Sequence, residues 1–546
     1  MRWVGNPGRA ESGQAPDQLI ERILGRRGLS PGAEREAFLQ PKLAHLTAPE
    51  EIPGMPGAVQ LLKRHLKTGS AMVIYSDYDV DGITSASILR LFLDSMGAGA
   101  IRHFMPDRKK EGYGLTAPAL ERCLQTGLKP NLLIVLDCGT NSRAEVASAK
   151  AGGIDVLIVD HHQVGEVAKS DALVNPQLGS SHHHLCTAGL VFKLCHAYLK
   201  AEGGRQFDLR TVLDLVALAT VADLVPLEKD NRIFVREGLR RLVQTVHPGL
   251  RRLMEVSGGG VRTPTTFTLG FQLGPRINAG GRVGEASAGL NLLLSRDPGE
   301  TAKLARELDL QNRKRQELEA MVLGEAEAEI GESPDGLGLV AASDRWHPGV
   351  VGIVAARLVR KYHRPSFVIA LEEGAGKGSG RGLPGVSLMD ALRACAPCLK
   401  GFGGHEGAAG ITIEADRVAE FRKILVAWLE KSVRPEVFEK SLSIEMSLLP
   451  EHLTPEMARA VGDLAPFGKG NPEPVFQLDG VTMVSAPKVF AERHLKFRAQ
   501  AGERKFEVVG FDFARRPPDR PTFDLAGSWE WDEYTDAPRW RMVDWR

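Results

Sequence analysis

Three aspartates alternate in Asp77-Tyr78-Asp79-Val80-Asp81-Gly82, directly after the apolar run Met72 to Ser76. Two more apolar runs end the same way: Leu132 to Leu136 runs into Asp137, and Val156 to Val159 runs into Asp160-His161-His162. So many carboxylates in one place repel unless protons or cations intervene. Carboxylate with imidazole suits Mn²⁺ or a similar divalent ion better than a metal that prefers soft ligands. The pattern is therefore that of a divalent-cation site.

The runs that carry these residues are short, β-rich and separated by helix-length segments, the pattern of parallel strands in βαβ units. In such sheets the carboxyl ends of the strands share one edge, where ligands bind. Helices are predicted over 83–93, just after the acid cluster, and over 213–222, leading into Asp223. Residues 300–330 lack Pro and are rich in Ala, Glu, Leu, Arg and Lys. They predict one long helix, on the order of 45 Å, a good spacer between domains. A second α/β unit follows at about 335–430, with strands near 337–342 and 367–371. After about Ser441 short alternating strands predict a small barrel. Four of the seven Trp (Trp529, Trp531, Trp540 and Trp545) lie there, and with nearby basic residues they suggest a stacking platform for single strands. Residues 1–45 read as a polar arm with helices near 17–26 and 31–39.

Other readings fail on particular residues. A calcium EF-hand loop starting at Asp77 needs Glu at its twelfth position, where Ile88 stands. Gly378-Ser379-Gly380-Arg381-Gly382 is not a Walker A loop, since Lys377 is followed by Gly378, nor a nucleophile elbow, since Lys377 takes the first Gly position. It reads either as a phosphate holder or as a simple turn. Cys395-Ala396-Pro397-Cys398 reads as two helix cysteines in a reducing cytosol, and His182-His183-His184 as a polar loop. The 546 residues suggest ~3–4 domains. Hydrophobic content of 43%, charged content of 25% and net charge +1 describe an ordinary globular chain with no global affinity for nucleic acid. Local positive charge remains at Arg102, Arg108, Lys109 and Lys110. Six scattered Cys argue against a secreted disulfide framework. With no signal-like N-terminus and no membrane-length apolar run, the expected location is cytoplasmic.

Taken together the motifs resemble the DHH phosphoesterase superfamily and, within it, the RecJ family of single-stranded-DNA exonucleases. Asp77 to Gly82 is similar to the DxDxDG motif, Asp137-Cys138-Gly139 to the second motif, and Asp160-His161-His162 to the DHH that names the superfamily. Ala222-Asp223 sits in a stretch like the fourth motif. Gly274 to Arg282 is similar to the PRINAAGR element, Gly403 to Gly410 to the GGHxxAAG element of the DHHA1 domain, and Leu464 to Pro472 to the opening of an oligonucleotide-binding (OB) domain. The likeness spans roughly 50–545 in family order. Departures are small: Gly280 replaces a common Ala, Gly382 stands where Ser is frequent, and Tyr75 stands where some relatives have a His ligand.

The resemblance implies an α/β architecture. A parallel-sheet DHH domain (46–298) follows the arm and is joined by the connecting helix (299–334) to a smaller α/β DHHA1 domain (335–435), with an OB-type β-barrel at 436–546. It implies 5′-to-3′ hydrolysis of single-stranded DNA to 5′-mononucleotides in DNA repair and recombination, with two Mn²⁺ or Mg²⁺ ions. Asp79, Asp81, Asp137, His161 and Asp223 are the expected ligands, with Asp137 bridging. His162 is expected as a ligand or as the group nearest the scissile phosphate, and Asp77 as an orienting group. His405 and Arg276 would neutralise phosphates, Arg108, Ser379 and Arg381 would bind the 5′ end, and Asn278 and Arg282 would join the substrate set. The DHH and DHHA1 units are expected to face each other across a cleft. Expected partners are single-stranded DNA, a single-stranded-DNA-binding protein and a repair helicase, with no membrane and a monomeric chain. A small-substrate phosphodiesterase or pyrophosphatase would share the metal site but would need neither the PRIN-like element nor the barrel. A non-catalytic replication scaffold should have lost metal ligands, and this chain keeps them all.

Overall fold

The computed structural model describes residues 1–546 apart from 6–7, 109, 126, 205, 259–262 and 333–335. Lys109 and the boundary expected between 334 and 335 therefore lie outside the described residues. The chain forms two compact units. One comprises Asn6–Asp309 and Ile444–Arg546, the other Met1–Gly5 and Leu310–Ser443.

At the centre of the larger unit is a parallel sheet of five strands. Their order is Ile101–Phe104, Met72–Ser76, Leu132–Leu136, Asp155–Val159 and Ala172–Val174. Met72–Ser76 and Leu132–Leu136 are buried at every position, which is why both read as continuous apolar runs: helices cover both faces of a parallel sheet. In chain order the strands run 2-1-3-4-5. The direction of winding switches between Met72–Ser76 and Leu132–Leu136, the place where such sheets open a crevice at their carboxyl edge. The register aligns Ser76 with Leu136 and Leu136 with Val159, so Asp77, Asp137 and Asp160 leave three adjacent strands side by side. The helices Val80–Ser95, Thr187–Glu202 and Leu213–Ala222 pack one face of this edge through Ile83, Phe92, Leu190, Leu194, Leu215 and Leu218.

The same unit holds a closed barrel of five strands. The ring runs Phe476–Met483, Thr522–Asp532, Ala537–Trp545, Arg504–Gly510, His494–Ala501 and back to Phe476–Met483. Closure removes the exposed edges that short strands would otherwise present. Three of the four clustered Trp do not form the surface platform that their clustering suggested; Trp531 is only partly buried. Trp529, Trp540 and Trp545 are buried, and Trp529 donates from Nε1 to the Thr454 carbonyl at 2.8 Å. In a barrel this small, alternate strand residues must fill the interior, and the large indoles do so. The polar arm is equally committed. Its helix Pro16–Arg26 buries Leu19, Ile20, Ile23 and Leu24 in the barrel's own core, beside Met446, Met457 and Leu464. Arg232 is buried and donates to the carbonyls of Phe38, Leu464 and Ala465, tying the helix Lys229–Leu242 to the segment that opens the barrel.

The smaller unit is a mixed sheet in the order Leu399–His405, Ala408–Glu414, Ala375–Arg381, Ser366–Glu372 and Leu339–Ser343. The Gly-Ser-Gly-Arg sequence is here a strand, not a turn. A Cβ on Gly378 would lie 2.7 Å from Ile411 Cγ1, and one on Gly380 2.3 Å from Phe367 Cε1. The alternate glycines let the apolar side chains of neighbouring strands fold across one face, which leaves Ser379 and Arg381 on the other. Pro298–Ile330 is one helix, as its composition predicts. His182-His183-His184 lies in a loop, as expected, but His182 and His184 are buried there. Among the described residues no helix is long and apolar enough to cross a membrane.

Candidate metal centre

Asp79 caps the helix Val80–Ser95 by accepting from Gly82 N at 3.0 Å. Gly82 is required by space: a Cβ there would lie 2.4 Å from the Asp77 carbonyl oxygen. Asp81, in the first turn, directs both oxygens toward the start of Thr187–Glu202, accepting from Thr187 N at 2.7 Å and Ala188 N at 2.8 Å. A helix N-terminus favours negative charge, so this carboxylate is fixed in place. Asp137 adopts φ +64°, a conformation that non-glycine residues rarely take and that Asp and Asn tolerate best. The turn brings its Oδ1 to 2.9 Å from the donating Thr187 hydroxyl. Asp223 ends the helix Leu213–Ala222.

These residues converge on His161. Its Nε2 lies 3.5 Å from Asp137 Oδ1, 3.5 Å from Asp223 Oδ2 and 3.8 Å from Asp81 Oδ2. His161 Nε2 and Asp77 Oδ1 are buried, and neither has a hydrogen-bond partner among the described residues. Buried polar atoms are seldom left so. Ligand-capable atoms fall into three groups, each within 4.8 Å: Asp77, Asp79 and Asp137; Asp81, His161 and Asp223; Asp137, His161 and His162. Asp137 belongs to two of them. Asp77 stands beside Asp79 and Asp137, a position that fits direct ligation as well as an orienting role.

The electrostatics agree. Burial, then the charges of Asp81, Asp79, Asp77 and Asp223, hold the Asp137 carboxyl well above the usual carboxylate range. Burial, then the charges of Asp81 and Asp79, push Asp223 up to about 8, and burial also raises Asp77 and Asp81. Desolvation lowers His161 and keeps its imidazole neutral, the form that ligates a metal. This donor set of carboxylates with one neutral imidazole fits divalent cations, which would replace the protons that the acids otherwise hold.

His162 behaves differently. Burial opposes its charge, but the hydrogen bond and charge of Asp160 outweigh burial and push it up to about 9. Asp160 Oδ1 accepts from His162 Nδ1 at 2.7 Å and from His161 N at 2.8 Å, and Oδ2 accepts from Thr140 N at 3.1 Å. Desolvation works against the Asp160 anion, and these bonds overcome it to hold the group well below the carboxylate range. The Tyr113 hydroxyl lies 2.8 Å from His162 Nε2. Thr187, Tyr113 and the orienting role of Asp160 were not anticipated. Tyr113 sits between Gly112 and Gly114, both with positive φ, and that Gly-Tyr-Gly was the one visible signal.

Of the expected substrate residues in this unit, Arg108 lies over the Tyr78 ring with Cζ 5.5 Å from the centroid. Arg282 also acts on Tyr78 electrostatically. Arg276 pairs with Asp309 at 2.9 Å and donates to the Gln272 carbonyl at 2.6 Å. Asn278 Oδ1 accepts from Val80 N at 3.1 Å, bracing the loop that carries Asp79 and Asp81. In the smaller unit, Arg381 pairs with Ala408 across the strands, as does His405. Arg381 Nη1 donates to Ser379 Oγ at 2.9 Å. The first turn of Val351–Tyr362 abuts this pair: a Cβ on Gly352 would lie 3.0 Å from Ser379 Oγ and 3.1 Å from Arg381 Nη2. Guanidinium, hydroxyl and a helix N-terminus are groups of the kind that suit an anion.

Comparison with known proteins follows the same outline. Models of the DHH family N-terminal domain, the DHHA1 domain and the RecJ OB domain match residues 71–220, 336–431 and 444–543. The chain is 35% identical over 526 residues to the single-stranded-DNA-specific exonuclease RecJ of Bacillus subtilis, covering 94% of this chain and 66% of that protein. It is 34% identical over 508 residues to the Escherichia coli exonuclease of the same name, covering 88% of this chain and 86% of that protein. A crystal structure of RecJ with Mn²⁺ from Thermus thermophilus superposes with a TM-score of 0.82 at 29% identity, covering 100% of this chain and 79% of the other. Its Mg²⁺ counterpart gives 0.77 at 28% identity, covering 100% and 78%. With three domain models matched in order along one chain, and full-length relatives above 30% identity, the protein belongs to the RecJ family of single-stranded-DNA-specific exonucleases within the DHH superfamily.

Proposed function

We propose that the chain is a metal-dependent exonuclease that hydrolyses single-stranded DNA from the 5′ end to 5′-mononucleotides, acting in DNA repair and recombination. The observation that carries this reading is the unpaired His161 Nε2 at the focus of Asp81, Asp137 and Asp223. Asp79, Asp81, Asp137, His161 and Asp223 would hold two Mn²⁺ or Mg²⁺ ions, with Asp137 shared and Asp77 beside it. Two such ions supply an activated water and stabilise the entering and leaving oxygens. His162, held protonated by Asp160, is placed to donate a hydrogen bond or a proton to phosphate oxygens. Tyr113 positions that imidazole. Arg108, Arg276, Arg282 and His405 offset phosphate charge. Ser379 and Arg381 anchor the terminal 5′-phosphate, which sets the direction of digestion.

The test uses single strands labelled at either end, a blunt duplex, a dinucleotide and pyrophosphate. Release of labelled mononucleotide from the 5′ end of the single strand alone supports the reading. Faster turnover of the dinucleotide or pyrophosphate would instead identify a small-substrate enzyme. Arg381→Ala should erase the preference for 5′-phosphorylated over 5′-hydroxyl ends, with a loss of about 10–100-fold on phosphorylated strands, as expected for a charge-assisted contact. If this variant discriminates as the parent does, the anchor lies elsewhere.

A further inference from the structure

Phe267 and Phe271 stand out among the exposed apolar residues. They are 59% and 63% exposed, and their rings stack with centroids 5.1 Å apart and planes 19° from parallel. Phe267 immediately precedes the π-helical turn Thr268–Leu273, which carries Phe271 and runs straight into Gly274–Val283. Wide turns of this kind concentrate at functional sites. The opposite face is the structural one: Thr268, Leu269 and Leu273 are buried. The core does not need the two rings, and exposing a pair of them in water is unfavourable.

The turn is seated on the metal centre. A Cβ on Gly270 would lie 3.2 Å from Val221 Cγ1. One on Gly274 would lie 3.4 Å from Ala222 Cβ and 3.9 Å from Val80 Cγ2. Val80 separates Asp79 from Asp81, and Ala222 precedes Asp223, so the aromatic turn packs on the backbone that presents three of the acids. Leu224, which follows Asp223, is 68% exposed. Thr266 donates to the Phe467 carbonyl at 2.8 Å, and Lys469 of that segment acts on Asp223. From 263 to 284 the chain carries Arg276 and Arg282 and no acidic residue.

We propose that Phe267 and Phe271 form a stacking platform for nucleobases adjoining the phosphodiester at the metal centre, and so help select single strands. This rests on the function proposed above and adds its specificity determinant. Three considerations favour bases over a protein partner. Two rings are far smaller than the about 800 Å² per side of a specific protein interface. A flat aromatic pair matches a base face and tolerates any sequence. The segment 263–284 carries no acidic residue to repel a polyanion. In a duplex the bases are already paired and stacked, so the platform would reward only a free strand.

The experiment compares the parent, Phe267→Ala/Phe271→Ala and Phe271→Trp on a single strand with an abasic site moved one nucleotide at a time from the 5′ end. Cleavage is measured with Mn²⁺. Binding is measured with EDTA-treated protein by the fluorescence of 2-aminopurine placed at the same positions. The double variant should raise KM about tenfold with kcat little changed, since stacking binds without touching the chemistry. One 2-aminopurine position should be quenched by the parent and by Phe271→Trp but not by the double variant. An abasic site at that position should raise the parent's KM and remove the difference between the proteins. Equal KM and equal quenching for a double variant that melts like the parent would overturn the proposal, as would a penalty that persists on the abasic strand. A parent inactive on every single strand would overturn the function itself, an outcome distinct from a loss of the aromatic effect alone.

Discussion

Asp137→Asn is expected to abolish hydrolysis while raising the melting temperature of the metal-free protein. Asp137 is the carboxylate common to two of the three ligand groups, and its substitution would take one anionic ligand from both. A fall of at least about 10³-fold in turnover is expected, since the ions carry most of the charge stabilisation. Asn is the better test than Ala because residue 137 has φ +64°, which Asn accepts and a methyl side chain resists. The amide can still accept from the Thr187 hydroxyl. In the absence of metal, the substitution removes the cost of holding a buried carboxyl protonated beside Asp81, Asp79, Asp77 and Asp223. A merely structural Asp137 would give the reverse pattern, with lower stability and surviving activity. Steady-state hydrolysis in Mn²⁺ and thermal melting in EDTA distinguish the two, and substantial residual turnover would sink the shared-ligand assignment.

The second expectation is a metal-free protein that weakens as pH rises, with a stabilisation by Mn²⁺ that grows over the same range. Folding lifts Asp223 from the ordinary carboxylate value to about 8 and His162 to about 9. A group with a raised folded pKa stabilises fully below its unfolded pKa and loses that contribution as pH rises through the folded value. Asp223 therefore erodes stability from about pH 4 to 8 and His162 from about pH 6.5 to 9, so both act between about pH 6.5 and 8. His161, shifted downward, has the opposite slope, but that acts only below its ordinary value. Asp160, held low, gives stability that is lost on the acid side. The melting temperature in EDTA should fall on the order of 5–10 °C from pH 6.5 to 8.5. Saturating Mn²⁺ should restore it, since ligand at about 100 times its dissociation constant adds about 2.7 kcal/mol. Activity should vanish in EDTA and return with Mn²⁺. A metal-free melting temperature that rises with pH, or a Mn²⁺ shift no larger at pH 8.5 than at 6.5, would contradict this reading of the cluster.

The acids were legible in the sequence because the strands before them are buried on both faces. Such strands leave unbroken apolar runs, and a polar residue at the end of each run is conspicuous. The parallel sheet then fixes where those ends meet. What stayed hidden depends on contacts between distant segments. Thr187 reaches Asp81 and Asp137 only because the helix Thr187–Glu202 starts against them, and nothing local marks that threonine. Gly376, Gly378 and Gly380 weaken any strand pattern, yet the strand exists because Phe367, Ile369, Ile411 and Ile413 fill the space above it. The clustered Trp were misread because an indole serves equally as a surface stacker or as barrel filling, and only the closed ring of strands decides between them.

The arm helix has a consequence for how the chain comes to be folded. Leu19, Ile20, Ile23 and Leu24 belong to the barrel core, and Arg27 pairs with Glu445 at 2.9 Å across 418 residues of sequence. At ordinary rates of synthesis that separation corresponds to roughly 20–80 s on the ribosome. Throughout that time an amphipathic helix made early waits with its apolar stripe uncovered, and the loop it must finally close is among the longest in the chain. The nascent chain thus carries an uncovered apolar stripe well before the barrel emerges. The barrel expressed from Ile444 onward would carry the matching scar: an apolar groove lined by Met446, Met457 and Leu464, open to self-association until the missing helix is supplied in trans.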